Sequence, residues 1–282
     1  MGIKITKMQG CGNDFVILEY DEFLRMDMEM SKAAQKLCDR NFGVGADGLI
    51  IPNRNVKDAD IGWLFYNSDG STAEMCGNGI RCFAKYVYDK GYVGKKEFTV
   101  KTLAGIIKPK LLDNGQVRVN MSKPILDSEK IPFLPQENLN YKMSVKNMIF
   151  EGNAVSMGNP HFVIFVSLEE DLLKFAKEYG PIIETNAEFP EKTNVEFVKI
   201  CSPSKIDLRV WERGCGITLA CGTGACATVV AGVLNGYIEN SVDVQLLGGM
   251  VHIDWAGSKE NPKEDVFMTG PAEYSFEADV TI

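Results

Sequence analysis

Two short segments of this sequence have the residue types and spacing of a proton-transfer site. Cys76-Gly77-Asn78-Gly79 and Cys221-Gly222-Thr223-Gly224 each set a thiol directly before glycines that lead into a helical run. Glycine there lets backbone N–H groups come close to a ligand at no steric cost. A helix N-terminus adds unpaired N–H donors and a partial positive charge, which bind a carboxylate or phosphate. The same field lowers the pKa of a thiol and raises its thiolate fraction. One such segment points to a nucleophilic cysteine. Two, related by an internal repeat, point to a pair of thiols facing each other across a cleft. Inverting a stereocentre needs a base on one face of a carbon and an acid on the other, and a thiolate with a thiol runs in either direction by exchanging roles. N–H donors around a substrate carboxylate also stabilise the charge that develops as its α-proton leaves. No lysine is needed for a Schiff base.

The repeat that relates the two segments runs through the chain. Gly12-Asn13-Asp14-Phe15-Val16-Ile17 is echoed by Gly158-Asn159-Pro160-His161-Phe162-Val163-Ile164, with one extra residue before Phe162. Gly91-Tyr92 returns as Gly236-Tyr237, and VKTLAGII from Val100 returns as VQLLGGMV from Val244. With the CGxG pair, these matches come in the same order at a separation of about 145 positions, the signature of two halves built on one plan. Each half opens with β-rich runs, at Ile3–Lys7, Phe15–Tyr20 and Ile61–Tyr66 and again at Phe162–Val166, Val195–Ile200 and Ile206–Trp211. A helical run follows each CGxG, Ile80–Lys90 or Ala225–Asn235, closed by Gly91 or Gly236. The second of these helices carries no charge, so it reads as buried, with a sheet wrapped around it. Asp113-Asn114-Gly115 between Ile106–Leu112 and Gln116–Met121 predicts a hairpin. Ser31–Asp39 and Leu168–Tyr179 read as peripheral amphipathic helices, and the Pro-bearing stretch Lys123–Asn140 as a linker.

Composition narrows the class of function. Of 282 residues 45% are hydrophobic and 24% charged, values of an ordinary globular chain with room for about two domains. Thirty Lys and Arg against 38 Asp and Glu leave a net charge of −8, which disfavours nucleic acid or an anionic membrane as the main partner. The uncharged stretch Gly214 to Ile238 is too rich in Gly and Thr for a membrane span. Without an export signal the expected location is cytoplasmic. Met1-Gly2 with Thr6 fits a loose myristoylation pattern, but the alternation Ile3-Lys4-Ile5-Thr6 reads as a first strand. Eight cysteines and two histidines, with no CxxC, lack the spacing of a zinc site. Cysteines 11, 38, 82, 201, 215 and 226 read as small buried side chains.

NSDGSTAEMCGNGIRC around Cys76, RVWERGCGITLACGTGACA around Cys221, the opening KMQGCGNDFVIL, MGNPHFVIFV and the closing FMTGPAEYSFE together resemble diaminopimelate epimerases over nearly the whole chain. The resemblance implies a cofactor-independent, two-thiol interconversion of LL- and meso-2,6-diaminopimelate, serving lysine and peptidoglycan synthesis, by a cytoplasmic enzyme that is commonly a homodimer. It implies an α+β fold of two pseudo-symmetric domains, each a mixed or antiparallel sheet around a central buried helix. The first domain is expected at 1–122 plus 269–282 and the second at 123–268, with the active site in the cleft between them. Position by position, Cys76 and Cys221 match the acid/base pair. Gly77-Asn78 and Gly222-Thr223 match the helix-start groups at the reacting end of the substrate. Asn13, Asn67, Asn159 and Asn194 match amides lining the pocket, and Glu212-Arg213 a charged pair beside it, the Arg fork suiting a distal carboxylate. His161 and Glu212 match positions that tune the thiols. No metal is implied.

Where some members carry a substrate-contacting Gln, this chain has Gly48, within Asn41-Phe42-Gly43-Val44-Gly45-Ala46-Asp47-Gly48. That segment spells GxGxxG but follows a helical run, not a strand, so it reads as a structural loop and not a dinucleotide site. The nearest rival is another cofactor-independent two-cysteine racemase of the proline racemase kind; Arg213 with four amides favours a substrate charged at both ends. A redox or metal-binding module would need CxxC pairs or Cys/His clusters, which the sequence lacks.

Overall fold

The computed structural model describes residues 2–281; Met1, on which the myristoylation pattern depends, and Ile282 lie outside the described residues. The chain divides into two compact units, Met1–Asn120 with Thr269–Ile282, and Met121–Met268. The first unit contains β1 (Gly2–Gly10), β2 (Asn13–Leu18), α1 (Tyr20–Leu24), α2 (Met30–Cys38), β3 (Gly48–Asn53), β4 (Ile61–Asn67), α3 (Gly77–Asp89), β5 (Val100–Thr102), β6 (Gly105–Ile107) and the short pair β7 (Lys110–Leu111) and β8 (Val117–Asn120). The second unit contains β9 (Tyr141–Val145), β10 (Met148–Ser156), β11 (Pro160–Phe165), α4 (Leu172–Glu184), β12 (Asn194–Ser202), β13 (Lys205–Glu212), β14 (Gly216–Ile217), α5 (Gly222–Leu234), β15 (Ser241–Gln245) and β16 (Met250–Trp255). The chain leaves it within β17 (Val266–Gly270) and ends in β18 (Glu273–Thr281), which pairs antiparallel with β1 of the first unit.

The internal repeat is a repeat of topology. In the first unit β1 and β2 pair antiparallel, β2 and β3 parallel, β3 and β4 antiparallel, β4 and β5 parallel, β5 and β6 antiparallel. In the second, β10, β11, β12, β13, β15 and β16 repeat that series of pairings without exception. The fold is α+β, and in each unit the helix after the CGxG segment is the central one. In α3, Ile80, Cys82, Phe83, Ala84 and Val87 are wholly buried, as is almost every residue of α5. Apolar side chains on all sides leave such a helix no solvent face, so the strands must curl around it. Both helices end alike. Gly91 and Gly236 each adopt φ of +72°, and the following tyrosine N–H reaches back to Val87 and Gly232 carbonyls at 2.9 Å, a glycine-dependent C-cap.

Several elements differ from the sequence-based expectation. The first run extends to Gly10, and the second stops at Leu18 because Tyr20 starts α1. The hairpin around Gly115 is confined to β7 and β8, while β6 pairs with β5 instead. Pro109 has no N–H to give a ladder, so one strand cannot run from Ile106 to Leu112. The helix expected at Leu168–Tyr179 starts at Leu172, where Asp171 caps it, and continues through Pro181 to Glu184. Burial of Ile183 and close packing of Gly180 on Trp211 outweigh the hydrogen bond lost at the proline.

The stretch Lys123–Asn140 is not a linker. Ile125 exchanges backbone hydrogen bonds with Ser156 at 2.8 and 3.0 Å, while Ile131 and Phe133 are buried in the second unit's core. Phe133 stacks on Phe189 with centroids 4.8 Å apart and meets Tyr141 edge-on. Prolines and polar residues obscured these two anchors in the sequence. Phe133→Ala is therefore expected to destabilise the second unit by about 3–5 kcal/mol, as for other buried aromatic truncations. Denaturant unfolding of the variant measures this, whereas a linker residue would change stability by less than about 0.5 kcal/mol.

Candidate active site

In the first unit the thiol is held by amides. Cys76 is the N-cap of α3, and its Sγ accepts the Gly79 N–H at 3.4 Å. The thiol also lies 3.6 Å from Asn13 Oδ1 at the start of β2, and Asn78 Nδ2 donates to the same oxygen at 3.1 Å. Asn13 Nδ2 donates to Asp47 Oδ2 at 2.5 Å. At the other end of this chain the wholly buried Arg81 donates to Asn78 Oδ1 at 2.9 Å and to the Pro271 carbonyl at 3.0 Å. A cation that only donates and a carboxylate that only accepts thus orient both amides between them, which leaves Asn13 Oδ1 as the acceptor facing the thiol. Arg40 bridges Asp47 and Asp14, and Asp14 also pairs with Lys7 at 2.7 Å. Asn67, at the end of β4, donates to Ser71 Oγ at 3.0 Å and stays outside the Cys76 network. Gly77 opens α3, half-buried.

In the second unit the corresponding thiol is surrounded by charge. Cys221 caps α5, with Gly224 N–H on its Sγ at 3.4 Å and Thr223 Oγ1 at 3.5 Å. The Glu212 carboxyl at the end of β13 acts on this thiol through its charge and accepts a hydrogen bond from Thr218. Asn159 Nδ2 donates to Thr223 at 3.3 Å, and Asn159 Oδ1 faces His161 Nε2 at 3.0 Å. His161 Nδ1 lies 2.7 Å from Glu196 Oε1, and both side chains are wholly buried. Asn194 accepts from the Arg213 N–H at 2.9 Å and donates to the Pro160 carbonyl at 2.8 Å, so its amide ties the Glu212-Arg213 turn to the start of β11. Arg213 is exposed, with Nη1 on the Glu191 carbonyl at 3.0 Å. Gly222 and Thr223, half-buried, form the first turn of α5.

The diaminopimelate epimerase family model matches residues 5–126 and 153–275 of this chain. The chain is 49% identical to the diaminopimelate epimerase of Carboxydothermus hydrogenoformans, over 98% of this chain and 99% of that protein. It is 48% identical to that of Desulfitobacterium hafniense, over 97% and 96%. The chain belongs to the diaminopimelate epimerase family. The fold is shared more widely. The structure of a probable proline racemase from Agrobacterium radiobacter K84 is similar with a TM-score of 0.69 at 14% identity, covering 99% of this chain and 93% of that one.

Against the family pattern, Gly48 has a local cause. A Cβ at that position would lie 2.6 Å from the Phe65 ring and 2.9 Å from the Tyr66 carbonyl, so the space a Gln needs is filled by Phe65. The glycines of the GxGxxG segment are likewise packing and turn residues. Gly43 has no room for a Cβ against the Lys36 carbonyl, and Gly45 takes φ of +79°. None of the eight cysteines is in a disulfide, but Cys201 and Cys215 are exposed, against the expectation that they are buried. Cys201 lies near the end of β12, at the register shift between Ile200 and Ser202, and Cys215 in the turn after β13. Among the described residues no group of three or more His, Cys, Asp or Glu side chains is placed to hold a metal ion, and no helix is long and apolar enough to cross a membrane.

The electrostatics of Cys221 also depart from the expectation of an acidified thiol. Burial raises its pKa well above the usual value, and the carboxyls of Glu212 and Glu196 raise it further; the hydrogen bonds from Thr223 and Gly224 do not offset this. Burial likewise raises Glu212 and Glu196. Cys221 is therefore a protonated thiol in the unliganded protein at neutral pH. Sequence reasoning missed Glu196 and Asp47. A lone charge in the otherwise apolar run Val195–Val198 was the signal for Glu196; Asp47, inside a glycine-rich loop, gave none. In alkylation followed by peptide mapping at pH 8, the exposed Cys201 and Cys215 are expected to react first and Cys221 to lag. Modification of Cys221 as fast as of Cys201 would contradict the protonated, buried state.

Proposed function

We propose that this protein is an amino-acid epimerase, an isomerase that interconverts LL-2,6-diaminopimelate and meso-2,6-diaminopimelate without a cofactor, with Cys76 and Cys221 as the two proton carriers. The observation that carries this reading is the duplicated cap: in a chain of this family, each unit begins its central buried helix with a cysteine, outside any disulfide, whose sulfur accepts the N–H of the third helical residue. One cysteine as thiolate removes the α-proton, and the other as thiol delivers a proton to the opposite face. The C–H bond that breaks and the C–H bond that forms are then on different faces, so the configuration inverts and the cysteines exchange protonation states. The reverse reaction needs no resetting.

The remaining groups divide by chemistry. N–H groups of the first helical turns, at Gly77-Asn78 and Gly222-Thr223, suit the reacting carboxylate. Each donor aligned on developing charge is worth about 3 kcal/mol in the transition state. Asn13, Asn67 and Asn159 offer amide donors and acceptors to a zwitterion, and the Arg213 fork suits the distal carboxylate. Asn194 serves by holding that arginine's turn in place. Glu212 is the acceptor for the Cys221 proton, and His161 acts on it through charge. A small-molecule substrate, a cytoplasmic location and a homodimer complete the reading; light scattering on the purified protein tests the last.

Proton NMR of the purified protein with LL-diaminopimelate in D2O, under reductant and with nothing else added, is expected to show loss of the α-proton signal and growth of the meso isomer. Exchange only with proline-type amino acids would instead assign the site to the related racemases. Cys76→Ala and Cys221→Ala are each expected to cut turnover at least about 100-fold, since each removes the proton carrier for one face. Near-normal turnover in either variant would overturn the two-thiol assignment.

A further inference from the structure

Glu196 on β12 is the one charge in the apolar run Val195–Val198, and its side chain faces α5. It is a wholly buried carboxyl, with Oε1 on His161 and Oε2 without a hydrogen-bond partner. A buried acid is costly unless a charge partner offsets it. The structure places that partner alongside. It also places the thiol nearby: a Cβ at residue 224 would sit 2.8 Å from Glu196 Oε1 and 3.2 Å from Cys221 Sγ. Carboxyl and thiol therefore press on the same glycine of the α5 first turn.

The neighbours of His161 constrain its protons. Asn159 commits its Nδ2 to Thr223, which turns its oxygen toward Nε2, while Nδ1 faces Glu196. A neutral imidazole has one donor and one acceptor nitrogen, but here both nitrogens face oxygens. Facing an ionised Glu196 and the Asn159 oxygen, the ring meets both with N–H donors. The titratable groups around this pair are Glu196 on β12, Glu212 at the end of β13 and Cys221 at the start of α5, and His161 acts on Glu212 to favour its carboxylate form. We propose that Glu196 is a positioning residue that holds His161 as an imidazolium, and that this charge keeps Glu212 ionised to receive the Cys221 proton. This rests on the reading of Cys221 as a proton carrier. In the step concerned the Sγ–H bond of Cys221 breaks and an O–H bond forms on Glu212, while Glu196 and His161 keep their protonation states.

The chain has two histidines, and the other, His252, lies part-exposed on β16. His252→Gln leaves His161 as the one imidazole, so side-chain 15N NMR reads its state directly. At pH 7 both ring nitrogens are expected to be protonated; after Glu196→Gln in that background, only one. The same variant is expected to lower kcat for LL-diaminopimelate by at least about tenfold, the equivalent of one pKa unit, with KM within about twofold. The acidic limb of its kcat/KM profile should move to higher pH, because Glu212 without the imidazolium ionises later. Glu196→Leu should behave alike if the Gln variant does not fold. A neutral His161 ring in the parent, or variants with unchanged ring state and pH profile, would overturn the proposal. A parent that does not exchange the α-proton would instead remove the functional reading, and the NMR result would still decide the Glu196–His161 pairing.

Discussion

A helix buried on every side still has to satisfy the N–H groups of its first turn, and the residue chosen to cap it decides what else that turn can do. Within this protein α4 shows the ordinary solution: Asp171 accepts two backbone N–H groups at 2.9 and 3.1 Å. The two central helices, α3 and α5, use cysteine instead, and each sulfur accepts a single N–H at 3.4 Å. A thiol is a weak acceptor, so about 1 kcal/mol of capping stability is forgone at each site relative to Ser or Asp. In return the helix end presents a group whose proton can leave. The buried cores, the flanking strands and the polar networks around each cap all serve to hold that thiol in place.

The two units hold the same group by different means, and the difference is electrostatic. Around Cys76 the partners are amides strung between Arg81 and Asp47. Around Cys221 the partners are Glu212, His161 and Glu196, and burial raises both carboxyls. One duplicated skeleton thus supports one thiol among amides and one among buried ionisable groups. The frame tolerates this because side chains change while the series of strand pairings stays.

Much of this was legible before any coordinates. The two CGxG segments, the buried central helices, their glycine C-caps and the repeat separation depend on local chain chemistry, and local chemistry is written in the order of residues. The elements that misled were those where distant packing overrode local signals. Phe133 and Ile131 lie among prolines and polar residues, yet they anchor a core; Pro181 marks a helix end, yet burial of Ile183 carries α4 past it. Cys201 and Cys215 had nothing in their own neighbourhood to separate them from the buried cysteines.

The amino-acid sequence by itself determined the duplicated plan, the identity of the two thiols and the family, because spacing and residue type suffice for each. The tertiary structure decided which side chains surround those thiols. Asp47 with Asn13 and Glu196 with His161 are partners brought together by strand and loop packing rather than by a motif. It also decided the sign of the effect on Cys221. A helix N-terminus alone favours the thiolate, but complete burial beside two carboxyls favours the thiol more. Desolvation depends on everything packed around an atom, and no local stretch of sequence carries that information.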